Sequence, residues 1–200
     1  MITDKLGVIN LALRTLGMNK IKDLNGNDPS TTVMLDFWDI CVESVFGGHQ
    51  WSFANVQEAL VESTETVPFG WLFAYKSPTV NAATVWTVYN EGTLDTKDEQ
   101  DFDTYYMTLS AATVLVSNLD EALCEYTYYV ADPTKWDKTF AHAVAHFLAA
   151  SACPMLTGDV DKALKIMQIY NGLMSEVKRV DSFGKLKKAK ITASAIQSRG

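Results

Sequence analysis

FAHAVAHFLAASA, residues 140–152, decides how this chain is read. Larger apolar side chains return at Phe140, Val144, Phe147 and Leu148, which marks one buried face of a helix. Between them stand mostly alanines, whose small side chains let other helices approach closely, so this is expected to be the central helix. Asp132-Pro133 upstream has the chemistry of an N-cap followed by a first helical residue. Pro154 is expected to end or kink the helix, because proline lacks the N–H the helix needs.

Outward from this helix the pattern stays helical on both sides. After Thr157-Gly158-Asp159 a further helix is expected, with Val160, Leu164, Met167, Leu173, Met174 and Val177 as its apolar positions. At the other end of the chain Ile2, Leu6, Ile9, Leu13 and Leu16 form one stripe, ended near Gly17. Asp28-Pro29 repeats the helix-start chemistry, and Val33, Phe37, Ile40 and Ser44 are expected to face one side until Gly47-Gly48.

From about Trp51 to Val130 the texture changes. TVWTVY (84–89), AATVLVS (111–117) and CEYTYYV (124–130) are short β-branched and aromatic runs. Turn chemistry in NEG (90–92) and SNLD (117–120) separates them, and 95–103 reads as a polar, acidic connection. A small antiparallel sheet is expected. The fold class is therefore α+β: a helical bundle from residues 1–50 and 131–180, a β-rich insert over 51–130, and an extended basic C-terminal tail over 181–200.

Charge is uneven. The chain carries −7 overall, yet residues 181–200 hold Lys185, Lys187, Lys188, Lys190 and Arg199 against Asp181 alone, which is +4 and leaves −11 for the rest. An acidic body with a basic tail concerns partners more than folding. The body would repel nucleic-acid phosphates, so sequence-specific DNA binding is not expected. No run of 18 apolar residues occurs, so no membrane span is expected. Cys41, Cys124 and Cys153 match neither a metal spacing nor a disulfide framework and read as buried thiols.

The search for chemistry returns one constellation, His142 and His146, which share a helix face at i and i+4. A zinc-protease helix would carry Glu after the first histidine, and Ala143 stands there instead. A pair of polar or interface histidines is the better reading; a metal-dependent enzyme built on them is the weaker alternative. No phosphate-cradling loop, nucleophile elbow or dinucleotide fingerprint appears, so no catalytic, cofactor-binding or metal residue is assigned.

VPFGWLFAYKSP (67–78) remains. It sets four aromatic rings, Phe69, Trp71, Phe73 and Tyr75, into a segment bracketed by prolines. Either they join the core or they anchor a neighbour.

The order of INLALRTLG (9–17), DLNGNDPS (23–30), WSFANVQEAL (51–60), PFGWLFAYKSP (68–78), YTYYV (126–130), TFAHAVAHFLAASA (139–152) and LTGD (156–159) resembles one family. It is the head–tail adaptor of short-tailed bacteriophages, tail tubular protein A, and the resemblance runs from about residue 5 to 180. It implies a non-enzymatic virion protein at the head–tail junction. Such a protein forms a ring of its own copies, a dodecamer, between the portal protein and the tail nozzle protein, with DNA passing through. It further implies that the β insert lies toward the next tail component and that the basic tail meets an acidic groove on the portal. Phe69, Trp71, Tyr75, Lys185, Lys187, Lys188, Lys190 and Arg199 are the expected subunit or portal contacts. The other alternative is a soluble, non-enzymatic interaction or scaffold module.

Overall fold

A computed structural model describes residues 4–26, 28–78, 82–90, 101–108 and 110–197, with 82, 83 and 180–197 described by backbone alone. The fold is mixed α+β. Four helices are α1 (Lys5–Thr15), α2 (Pro29–Gly47), α3 (Lys138–Thr157) and α4 (Val160–Gln197). Six strands are β1 (Asn55–Ala59), β2 (Phe73–Lys76), β3 (Ala82–Tyr89), β4 (Phe102–Met107), β5 (Ala112–Ser117) and β6 (Leu123–Tyr128). Two compact units divide the chain: Met1–Val45 with Asp132–Gly200, and Phe46–Ala131.

In the helical unit α3 packs against both α1 and α4. Phe140, Val144 and Leu148 are buried on it together with six alanines. α3 is also the one helix among the described residues whose length and mean hydropathy would suit a bilayer, and burial inside the protein accounts for that composition. Its N-cap is not Asp132 but Asp137, whose Oδ1 accepts from the Thr139 and Phe140 N–H groups at 2.6 and 3.1 Å. Asp132-Pro133 instead opens a single 3-10 turn, Pro133–Lys135, which ends before the helix begins. Pro154 does not end α3 either. It sits in the last turn, and Gly158 in the left-handed region at φ 69° makes the stop, donating its N–H to the Pro154 carbonyl at 3.0 Å.

α1 buries Val8, Ile9, Ala12, Leu13 and Leu16, while Ile2 lies outside the described residues. Gly17, at φ 70°, donates to Arg14 O and Met18 donates to Leu13 O, a Schellman ending. Lys162 Nζ on α4 then donates to Leu16 O at 2.6 Å, placing a cation on the negative end of α1.

α2 starts at Pro29 with Asp28 Oδ1 accepting from Ser30 N at 2.9 Å. Its buried face, however, is Thr31, Met34, Trp38, Cys41, Val42 and Val45. The expected stripe is turned outward: Val33 and Phe37 are half-buried, and Ile40 and Ser44 are exposed. The choice between two apolar stripes goes to the one holding Trp38, which stacks on Trp136 at 5.8 Å, while Trp136 meets Phe140 edge-on at 4.8 Å.

α4 buries Ile166 and Met174, with Met167, Tyr170, Leu173 and Val177 half-buried; Val160 and Leu164 are exposed. Tyr170 rests on Phe147 at 4.9 Å. The helix continues through Gln197, so most of 181–200 is helical backbone where an extended tail was expected. Its Lys, Leu and Ala content favours that continuation.

The sheet unit holds two three-stranded antiparallel sheets, β1-β6-β3 and β2-β5-β4, rather than one. Tyr75 and Leu115 of one sheet and Val88, Cys124 and Tyr126 of the other share a single core with Ala122. The chain stitches the sheets after β1: Leu60 donates to Ala122 O at 2.8 Å, then Lys76 and Ser63 bond across to Val61 and Ala74. β2 lies inside the proline-bracketed aromatic segment, and Phe102-Asp103, read as part of an acidic connection, open β4.

Candidate interaction surface

The aromatic segment separates into inside and outside within seven residues. Trp71 donates its N–H to Pro68 O at 3.3 Å, closing a turn over 68–71 with Gly70 at φ 96°. Positive φ at the third turn position is the type II requirement that glycine meets without strain. Phe69 is thereby left at the tip with its ring fully in solvent. Leu72 follows, 68% exposed, its N–H held by Asn118 Oδ1 at 3.1 Å. Trp71 is half-buried against Ala74, Val114 and Val116.

Tyr75 belongs to the inside. It is 3% exposed, its ring stacks on Phe73 at 6.3 Å, and its hydroxyl donates to Leu119 O. Burial pushes its hydroxyl pKa up, and the nearby carboxylates of Asp120, Glu62 and Glu121 push the same way. Tyr75 is therefore removed from the expected contact residues: a ring filling the core has no face left for a neighbour.

Those three carboxylates mark an end of the sheet unit. Glu62, Asp120 and Glu121 are all exposed, as is Asp101, whose carbonyl lies 3.5 Å from Ser117 Oγ. Ser117 pairs with Phe73, and Leu72 bonds Asn118, so the acidic groups and the Phe69–Leu72 tip flank the same β5–β6 turn. The aromatic residues of this end are contiguous in the sequence, 69–72. The acidic half comes from separate chain regions and is visible only once strands pair.

A second polar feature was not read from sequence. Glu125, 9% exposed in the middle of β6, accepts from Asn55 Nδ2 at 2.6 Å and Gln57 Nε2 at 3.2 Å, both on β1. Beside it Trp86 Nε1 on β3 donates to the buried Thr127 Oγ1 at 2.7 Å. Charge-assisted bonds of this kind hold a buried carboxylate and lock strand register. Glu within an otherwise apolar strand was the available signal.

Lys185, Lys187, Lys188 and Lys190 fall on α4, described there by backbone alone, and Arg199 lies outside the described residues. His142 is exposed and His146 half-buried, with ring centroids 5.6 Å apart and His146 Nδ1 2.9 Å from the His142 carbonyl. Asp137, the nearest carboxylate in sequence, is engaged as the α3 cap, and among the described residues no group of three His, Cys, Asp or Glu side chains converges. The three cysteines are buried and unbridged. Burial pushes the Cys124 thiol up to about 12, helped by the Glu58 charge. Burial also raises Cys41, partly offset by its hydrogen bond with Ser151.

No protein-family model matches this chain, and no curated protein matches it.

Proposed function

We propose that this protein is a structural virion component, the head–tail adaptor of a short-tailed bacteriophage. In this reading its copies form a dodecameric ring between the portal protein and the tail nozzle protein, and the ring lines part of the DNA passage. It is not an enzyme and uses no cofactor.

The observation that carries the reading is the surface at the β5–β6 turn. A fully exposed aromatic ring on a hydrogen-bonded turn, anchored to a rigid sheet, is what a docking anchor requires, whereas a monomer gains nothing from leaving it in water. The sequence resemblance adds the architecture: helices from both chain ends form the bundle, and the segment beyond residue 180 forms an arm. Charge fits as well. Residues 46–131 hold twelve carboxylates against Lys76 and Lys97, a net −10. An acidic wall would let DNA phosphates pass without sticking.

Co-sedimentation with the portal ring of the same phage tests this. Saturable binding, with ring-shaped density added to the portal in electron micrographs, is the expected result. A competent portal that recruits none of the protein overturns it in favour of a free interaction module.

A further inference from the structure

The charge asymmetry of the chain has a definite location. The sheet unit carries −10, and outside it the chain without residues 181–200 holds eleven acidic against ten basic side chains. The helical body is thus nearly neutral, and the +4 of residues 181–200 has one strongly opposite counterpart within the molecule. α4 delivers that basic segment on a continuous helix. Met174 is its last buried side chain among those described, and the backbone helix goes on to Gln197, about 35 Å further at ~1.5 Å per residue.

We propose that the basic C-terminal segment of one copy docks on the β5–β6 end of the sheet unit of a second copy. The acceptor offers Glu62, Asp101, Asp120 and Glu121 beside the exposed Phe69 and Leu72. The donor sequence FGKLKKAKI, residues 183–191, offers Lys185, Lys187, Lys188 and Lys190 interleaved with Phe183, Leu186 and Ile191. Both the charge and the apolar content match. Complementary potentials set orientation and encounter rate, and the desolvated ring supplies the anchor. Donor and acceptor are different surfaces of one chain, so the contact is head-to-tail and generates a ring wherever the rotation closes. This contact takes the place of the portal groove that the resemblance implies for the basic segment and leaves portal binding to other surfaces of the chain. Its biological use rests on the adaptor reading; its chemistry does not.

Sedimentation of the full chain against concentration and salt tests it. The wild type self-associates, and the association weakens at least ~10-fold between about 50 and 500 mM salt. Lys185→Glu, Lys187→Glu, Lys188→Glu and Lys190→Glu together give a monomer. Glu62→Lys, Asp101→Lys and Glu121→Lys together give another, and an equimolar mixture of the two associates again. Phe69→Ala, at a fully exposed side chain and so harmless to the fold, weakens association as well. A wild type that stays monomeric at low salt overturns the contact. So does association indifferent to either charge reversal, a salt-sensitive compaction independent of concentration (the arm on its own sheet unit), or an arm that binds duplex DNA while association is unchanged. Portal co-sedimentation of the same variants separates the two proposals: portal binding without self-association removes only this contact, and self-association without portal binding removes only the adaptor.

Discussion

The helical and sheet units solve the same problem with different materials. α3 buries six alanines among its ten buried residues, so its neighbours are held by close backbone approach and a few large plugs such as Phe140. The sheet unit fills its core mainly with larger side chains, Tyr75, Val88, Leu115, Cys124 and Tyr126 around Ala122, and it also buries a carboxylate, Glu125. The helical body is close to neutral while the sheet unit is strongly acidic and ends in an exposed ring. The difference is one of surface as well as core: one unit is built mainly of close packing, and the other joins packing to an acidic end with an exposed ring.

The largest expected effect breaks or keeps that division in stability. Phe140→Ala removes a fully buried ring that meets Trp136 edge-on and should cost ~3–5 kcal/mol. Leu115→Ala, also fully buried, should cost ~2–5 kcal/mol in the sheet unit. Urea unfolding followed by far-UV circular dichroism for helix and by pulsed chemical labelling of the buried Cys124 thiol for sheet distinguishes two outcomes. Separate units give a shifted transition in one probe only; a shift of both probes by either substitution means one cooperative fold.

Next in size is the alkaline limb. The Cys124 thiol is pushed up to about 12 in the folded sheet unit from an ordinary value of 9.0. A raised folded pKa means the native state keeps a proton that the unfolded chain gives up. The stabilisation is therefore complete below the unfolded value and is lost as pH rises from there toward the folded one. The slope is at most ~1.4 kcal/mol per pH unit. Cys124→Ala should make the sheet-unit limb shallower over that window, leaving the part owed to the raised Tyr75 hydroxyl. The helical unit's own decline, to which the raised Cys41 thiol and Tyr170 hydroxyl contribute, should stay in place. Equal alkaline slopes before and after the substitution would remove Cys124 as the cause.

The two units were also unequally legible. The existence of the four helices was plain from capping and periodicity, because Asp28-Pro29 and Gly17 act locally, although α3 starts later and α4 runs further than those signals imply. The face of α2 was not, since its sequence carries two apolar stripes and only the stack of Trp38 on Trp136, almost a hundred residues away, selects between them. Asp132-Pro133 and Asp28-Pro29 look identical, yet one starts a 3-10 turn and the other a 19-residue helix. The difference lies in Asp137, a second cap that captures the N-terminus of α3. In the sheet unit the three buried-run strands were visible and the other three were not. β1 spends Asn55 and Gln57 on Glu125, so its alternation looks polar. β4 is exposed at four consecutive positions and shows no alternation at all. β2 is four residues long and hides among aromatics bracketed by prolines. Of the candidate surface, the ring of Phe69 could be suspected from sequence. Its acidic surroundings could not, because Glu62, Asp101 and Glu121 meet only through strand pairing.

A smaller effect sharpens the contrast inside the aromatic segment. Tyr75→Phe leaves the Leu119 carbonyl without its hydroxyl donor and should cost ~1–2 kcal/mol, read as a lower urea midpoint at unchanged slope. The same hydroxyl is protonated in the fold above its usual range, so the variant should also lose some alkaline sensitivity. An unchanged midpoint would mean that Leu119 finds water instead.

The smallest effects come from the turn itself, and there the prediction splits two adjacent residues. Gly70 has open space around its missing Cβ, so any cost of Gly70→Ala comes from φ 96° alone, a conformation L side chains rarely adopt. About 1 kcal/mol is expected for an alanine held there. Phe69→Ala removes a far larger side chain, yet nothing in the monomer touches it, so its effect should stay within ~0.5 kcal/mol. Stability would then rank the small change above the large one, while self-association ranks them the other way. If Phe69→Ala instead lowers the urea midpoint as much as Gly70→Ala does, the ring is supporting its own chain, and the case for it as a partner anchor fails at its starting observation.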